Sequence, residues 1–169
     1  MTLTELNNLP KPALAEALRK CCGATAWVEN MLACFPLRDE AALLADATAE
    51  WQQLPETDWR EAFTHHPKIG GDVEALRAKF ASTSQWAEGE QASVKQASQE
   101  TLEALATGNE DYERKFGYIF IVCATGKTAA EMLALLQARM PNKPEDEIPL
   151  AAGEQDKITR IRLEKLLAA

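Results

Sequence analysis

The stretch PALAEALRKC, Pro12 to Cys21, sets Leu14, Ala17, Leu18 and Cys21 on one face of a 3.6-residue period, with proline where a first helical turn tolerates it. It predicts an amphipathic helix over about residues 12–22, stopped by Gly23. The same period continues outward. Ala26, Trp27, Asn30, Met31 and Cys34 form a second stripe, which ends before Pro36 because the residue preceding a proline is pushed out of helical backbone. Asp39 is placed to cap a third, alanine-rich helix through Trp51, and Pro55 opens a short fourth, PETDWREAF. Further helical patterns cover 74–80, about Trp86 to Ala106 before Gly108, 109–116 up to a break at Gly117, Thr128 to Met140, and about Pro144 to Leu167. The apolar run YIFIVCA, Tyr118 to Ala124, is short enough that periodicity leaves it as a buried helix or a buried strand. The expectation is an all-α chain: a single-domain helical bundle of about eight to nine helices over residues 1–169, with no repeat, low-complexity tract or linker.

Composition narrows the function classes. At 169 residues, 46% of them hydrophobic, the chain can hide roughly two-thirds of its unfolded surface in one core, which excludes a disordered or fibrous protein. The 26 acidic and 18 basic side chains leave a net charge of −8, a field that repels phosphate backbones and anionic lipid heads. No nucleic-acid or membrane partner is expected. No apolar run approaches the ~20 residues of a membrane span, and the opening MTLTELNNLPKP lacks the basic start of an export signal. Cys21, Cys22, Cys34 and Cys123 form no C-x-x-C pair and have no histidine at metal-ligand spacing, a pattern that predicts free thiols in a reducing cytoplasm.

The segment THHPKIGGD, Thr64 to Asp72, interrupts the helices. Pro67 fixes its own φ and drives His66 toward extended backbone, while Gly70 and Gly71 admit conformations closed to other residues. The chain has two histidines, so imidazole chemistry has two addresses. His66, pinned by the proline, is the candidate for proton exchange near neutrality; the alternative is that both are ordinary loop residues. Adjacent residues do not readily turn both rings to one ion, and no H-x-x-x-H spacing is present, so no metal is expected. Taken singly, Glu90 reads as a solvated helix carboxylate, Gln91 as its neighbour, and Arg139 as a cation against a helix C-terminus. The run Asn109, Tyr112, Phe116, Gly117 reads as helix-end packing or as one wall of a ligand pocket. Gly126-Lys127-Thr128 is not a phosphate-binding loop, because Ile121 stands where that motif requires its first glycine.

In combination these elements are more specific. The His66-Pro67 step with Gly70, then Glu90-Gln91 with Ser93, form the first part of an ordered series. Asn109, Tyr112, Phe116, Gly117, Tyr118, Phe120, Ile121 and Val122 follow, then Ala124, Gly126 and Glu131, Arg139 with Asn142, and the closing Ile158, Ile161, Arg162, Leu163, Leu166 and Leu167. Over nearly its whole length the chain resembles the family of 2-oxo-4-hydroxy-4-carboxy-5-ureidoimidazoline (OHCU) decarboxylases. The resemblance implies an all-helical fold that converts OHCU to (S)-allantoin in urate degradation, as a cytoplasmic homodimer whose small-molecule partner is OHCU and which uses no cofactor or metal. It places catalysis on His66 and Glu90. Substrate contacts fall on Pro67, Ala87, Glu88, Gly89, Gln91, Phe120, Ile121, Val122, Cys123 and Ala124, and the substrate-binding arginine on Arg139. Ala87 stands where many relatives have serine. A helical interaction module that keeps the fold without the activity is the alternative.

Overall fold

The computed structural model describes residues 1–67, 73–81 and 91–168. Among the described residues it has nine helices and no strand, as the periodicity predicts: α1 (Leu3–Asn7), α2 (Lys11–Cys21), α3 (Thr25–Cys34), α4 (Glu40–Gln52), α5 (Glu56–Thr64), α6 (Val73–Ala81), α7 (Gln91–Phe116), α8 (Ala129–Arg139) and α9 (Pro144–Ala168). They fall into two compact units, Met1–His66 with Ile148–Ala169, and Pro67–Glu147. None of the described helices is long and apolar enough to cross a membrane.

In the first unit α1 is a helix that the apolar periodicity does not announce. It is made by a capping box: Glu5 N donates to the Thr2 hydroxyl at 3.1 Å and Thr2 N to the Glu5 carboxylate at 2.7 Å. Asp39 caps α4 as its position predicts, accepting from Ala42 N at 2.7 Å. Leu6, Leu18, Trp27, Met31, Leu43 and Phe63 form the buried centre, where each large apolar side chain contributes about 1.5–3 kcal/mol. Three indoles tie helices together through backbone carbonyls: Trp27 Nε1 donates to Ala47 O at 3.0 Å, Trp51 Nε1 to Ala152 O at 2.8 Å, and Trp59 Nε1 to Trp51 O at 3.0 Å. Thr48 adds a bond from α4 to Asp156 of α9, at 3.1 Å to each carboxylate oxygen.

The second unit corrects two expectations. The predicted break before Gly108 is absent: α7 runs unbroken to Phe116. A Cβ on Gly108 would meet Leu136 Cδ2 of α8 at 2.5 Å, so this glycine lets α7 and α8 approach closely and does not end a helix. The expected Trp86 start lies outside the described residues. Gly117, with φ +81°, does end α7 as predicted. The run Tyr118–Ala124 is neither helix nor strand but irregular chain closed by a turn at Gly126, φ +75°. Two of its carbonyls are met by side chains: Arg139 Nη1 donates to Ile121 O at 2.7 Å and Lys127 Nζ to Cys123 O at 2.7 Å. Those donors fix the segment's course where no ladder runs. Thr128 then caps α8 through Glu131 N at 3.2 Å.

Gly108→Val should lower stability by about 1–3 kcal/mol in chemical denaturation, because the added methyls overpack Leu136. Adding Leu136→Ala should recover part of that loss; equal or additive losses would show that the two positions are not in contact.

Candidate functional site

His66 is placed by the end of α5. Its backbone N donates to Phe63 O at 3.3 Å and that of His65 to Ala62 O at 3.1 Å, after which Pro67 prevents another turn. The two rings then take different surroundings. His65 lies over Gly23, where an added Cβ would sit 2.4 Å from its Cγ. His66 is half-buried, and its Nε2 is hydrogen-bonded to the side-chain oxygen of Gln155 on α9. Gln155 Nε2 donates to the Thr159 hydroxyl at 3.0 Å; the two residues are 1% and 3% exposed. The Cys22 thiol shares the Thr159 hydroxyl, and Arg162, one turn further along α9, donates to Cys21 O at 3.3 Å.

Burial lowers the pKa of His66, Gln155's hydrogen bond opposes that, and the Arg162 and His65 charges lower it further. The ring is therefore a neutral base at pH 7. Burial also pushes the Cys21 and Cys22 thiols up to about 11, so they stay protonated and unreactive. Gln155 and Thr159 are absent from the residues picked out by sequence. Their signal was there: from Ile148 on, Ala151, Ala152, Gln155, Thr159 and Leu163 continue the buried stripe of α9, and in this part of it Gln155 and Thr159 are the polar members.

The second unit gathers Tyr112, Arg139, Glu147 and the segment 120–124. Glu147 is fully buried; it accepts from Arg139 Nε at 3.1 and 2.8 Å, from the Tyr112 hydroxyl at 2.7 Å and from Asn142 Nδ2 at 3.3 Å. Arg139 Nη1 holds Ile121 O and its Nη2 donates to the Tyr112 oxygen at 3.3 Å, with the guanidinium 4.6 Å from the Phe120 ring centre. All three nitrogens of Arg139 thus donate inside this unit, and the arginine to which the resemblance gives a substrate contact is engaged in holding backbone and a buried carboxylate. Burial and the bond to Glu147 hold the Tyr112 phenol far above its ordinary value. Ile121, Val122 and Cys123 are buried, Phe120 and Ala124 half-buried. Pro67 opens this unit. Ala87, Glu88, Gly89 and Glu90 lie outside the described residues, as does the side chain of Gln91, the first residue of α7. Among the described residues no three His, Cys, Asp or Glu side chains are grouped so as to hold a metal ion.

A family model described as OHCU decarboxylase matches residues 7–164. The chain belongs to the OHCU decarboxylase family. It is 38% identical over 149 residues to the uric acid degradation bifunctional protein TTL of Arabidopsis thaliana, covering 88% of this chain and 45% of that protein. To the uric acid degradation bifunctional protein PucL of Bacillus subtilis (strain 168) it is 25% identical over 167 residues, 98% of this chain and 33% of the relative. The chain thus spans less than half the length of these curated relatives. A crystal structure of OHCU decarboxylase in the presence of (S)-allantoin superposes with TM-score 0.70 at 38% identity, covering 89% of this chain and 96% of that one. A structure of (S)-allantoin synthase, 20% identical with TM-score 0.69, shares the fold.

In this OHCU decarboxylase family member, Glu147→Ala should cost about 3–5 kcal/mol, because it leaves the Arg139 charge buried without its partner. The double variant Arg139→Met, Glu147→Leu should be less destabilised than Glu147→Ala alone in the same denaturation assay.

Proposed function

We propose that the chain decarboxylates OHCU to (S)-allantoin and carbon dioxide in urate degradation. Family membership over residues 7–164 carries this reading, and the neutral His66 imidazole beside the Arg162 charge supports it. The substrate bears its carboxylate on a carbon next to a ring C=N bond. When the bond to carbon dioxide breaks, its electron pair moves into that unsaturation, so no pyridoxal, thiamine or metal sink is required. The nitrogen of that C=N bond takes a proton from solvent as the pair reaches it. The hydroxyl on the carbon that lost carbon dioxide then gives up its proton and becomes a carbonyl, and the former C=N carbon receives a proton on a single face.

His66 suits the hydroxyl proton because it is an uncharged base held in one orientation. For the substrate's carboxylate or carbonyl oxygens we assign Arg162 in place of Arg139. Arg162 is half-buried and its charge acts on His66, whereas Arg139 is engaged with Glu147 and Ile121 O. Glu90 orients the ureido or hydroxyl side, and Gln91 with backbone amides of 120–124 fixes the ring; Pro67, Ala87, Glu88 and Gly89 supply the remaining contacts that the resemblance assigns. We further propose one domain, since a single family model spans 7–164, a homodimer, and a cytoplasmic location suited to four free thiols.

The test generates the unstable substrate in situ from urate with the upstream enzymes and follows allantoin chirality by circular dichroism. Faster appearance of one enantiomer is expected; the spontaneous racemic course would reject the proposal. His66→Ala should lose about 10²–10⁴-fold in rate and His65→Ala little; equal losses would reject the assignment to His66. Dialysis against EDTA should leave turnover unchanged. The acidic limb of kcat/KM should lie below the ordinary imidazole value of about 6.5, because the folded protein binds that proton less readily than a free side chain. By the same linkage His66 weakens stability as pH falls below about 6.5, and His66→Ala should reduce that pH dependence.

A further inference from the structure

We infer that Gln155, anchored by Thr159, is a positioning residue that fixes His66 in the tautomer with its proton on Nε2, leaving Nδ1 as the nitrogen that takes and returns the proton. The inference rests on the reading of His66 as the acid–base group. Gln155 lies on the buried stripe of α9, where a leucine would pack without desolvating an amide. Both ends of that amide are used. Its nitrogen donates to the Thr159 hydroxyl at 3.0 Å, which directs its oxygen at the imidazole. An amide oxygen only accepts, so the facing ring nitrogen must carry the hydrogen, and in a neutral imidazole the other nitrogen then holds the lone pair.

The choice of an amide also has an electrostatic meaning. Among the described residues, the charged groups that act on His66 are Arg162 from α9 and His65 from its own loop, both of which disfavour protonation, while Cys22 beyond Thr159 remains a neutral thiol. A carboxylate at position 155 would orient the ring equally well but would hold it as imidazolium. Glutamine orients it and keeps it basic. Thr159, one helical turn on, accepts from the amide nitrogen, and the pair spaced i, i+4 on one helix holds the amide beside the ring.

Two measurements test this, one of which does not depend on turnover. Two-bond ¹H–¹⁵N correlation spectra of the His65→Ala protein, which leaves His66 as the single histidine, should show the Nε2–H tautomer at neutral pH. A proton on Nδ1 would overturn the inference. In kinetics, Gln155→Glu should raise the acidic limb of kcat/KM by about one pH unit or more. Gln155→Leu should lower kcat up to about 100-fold with KM little changed, and give a mixture of tautomers. An unshifted limb in Gln155→Glu, in a background where His66→Ala is inactive, would overturn the positioning role. Full activity in His66→Ala would instead overturn the acid–base reading on which it rests, and the two failures are distinct. A merely structural Gln155 predicts lower stability with the pH profile in place.

Discussion

The hydrogen bond from the Trp51 indole to the Ala152 carbonyl determines which face of α9 meets the rest of its unit. A buried indole N–H without an acceptor costs about 1–3 kcal/mol, so α9 is held at the rotation that supplies one. Thr48, one turn earlier on α4, takes Asp156 in the same way, and the two anchors bracket Gln155. Sliding α9 by one residue would move its surface by 1.5 Å and turn it by about 100°, removing Gln155 from His66 and Thr159 from Cys22. The orientation of one imidazole is thus inherited from a tryptophan on another helix. The other indoles do the same for the frame, Trp27 locking α3 to α4 and Trp59 locking α5 to α4, so the helix that delivers His66 is itself fixed.

The two units solve the problem of buried polarity in opposite ways. Among the described residues, the buried groups around His66 are neutral: an amide, a hydroxyl and two thiols held far from ionisation. In the second unit a full carboxylate is buried, and it is tolerated because Arg139, Tyr112 and Asn142 all donate to it. An ion pair of this kind adds little net stability over apolar packing, but it is directional. Arg139 spends that direction on Ile121 O, and the result is a seven-residue irregular segment with a defined course. A neutral network leaves an imidazole basic, and a charged one holds backbone that has no regular hydrogen bonds of its own.

The all-α class was readable because it depends on local features. Leu14, Leu18 and Cys21 lie on the buried face of α2 as their spacing predicts, and Asp39 caps α4 from the sequence position that a cap requires. What escaped depends on partners distant in the chain. Gly108 looks like a helix terminator until Leu136 is seen against it. Tyr118–Ala124 has the composition of a strand, but the donors that satisfy it come from Lys127 and Arg139. Arg139 drew attention through its place in a motif, whereas its partner Glu147 is one of several acidic residues in the first turn of α9 and carries no mark of burial. His66 stands out in the sequence because Pro67 restricts its backbone locally. Gln155 does so less, since a polar residue on an apolar stripe acquires meaning only when the ring opposite it is known. Thr2 and Glu5, by contrast, spelled out α1 in a local capping pattern that apolar periodicity passes over.

Gly23 bears the least conspicuous burden in the molecule. Its hydrogen occupies the space under the His65 ring, where even a methyl group would overlap Cβ, Cγ and Cδ2 together. Rotation of the ring cannot remove the overlap with Cβ, which is fixed to the backbone, so strain would pass into the peptide that joins His65 to His66. Mutational drift at this glycine is therefore closed by sterics, although the residue carries no chemistry and stands at the end of a different helix. A designer transplanting the histidine loop onto another scaffold would have to carry this small hollow along with it.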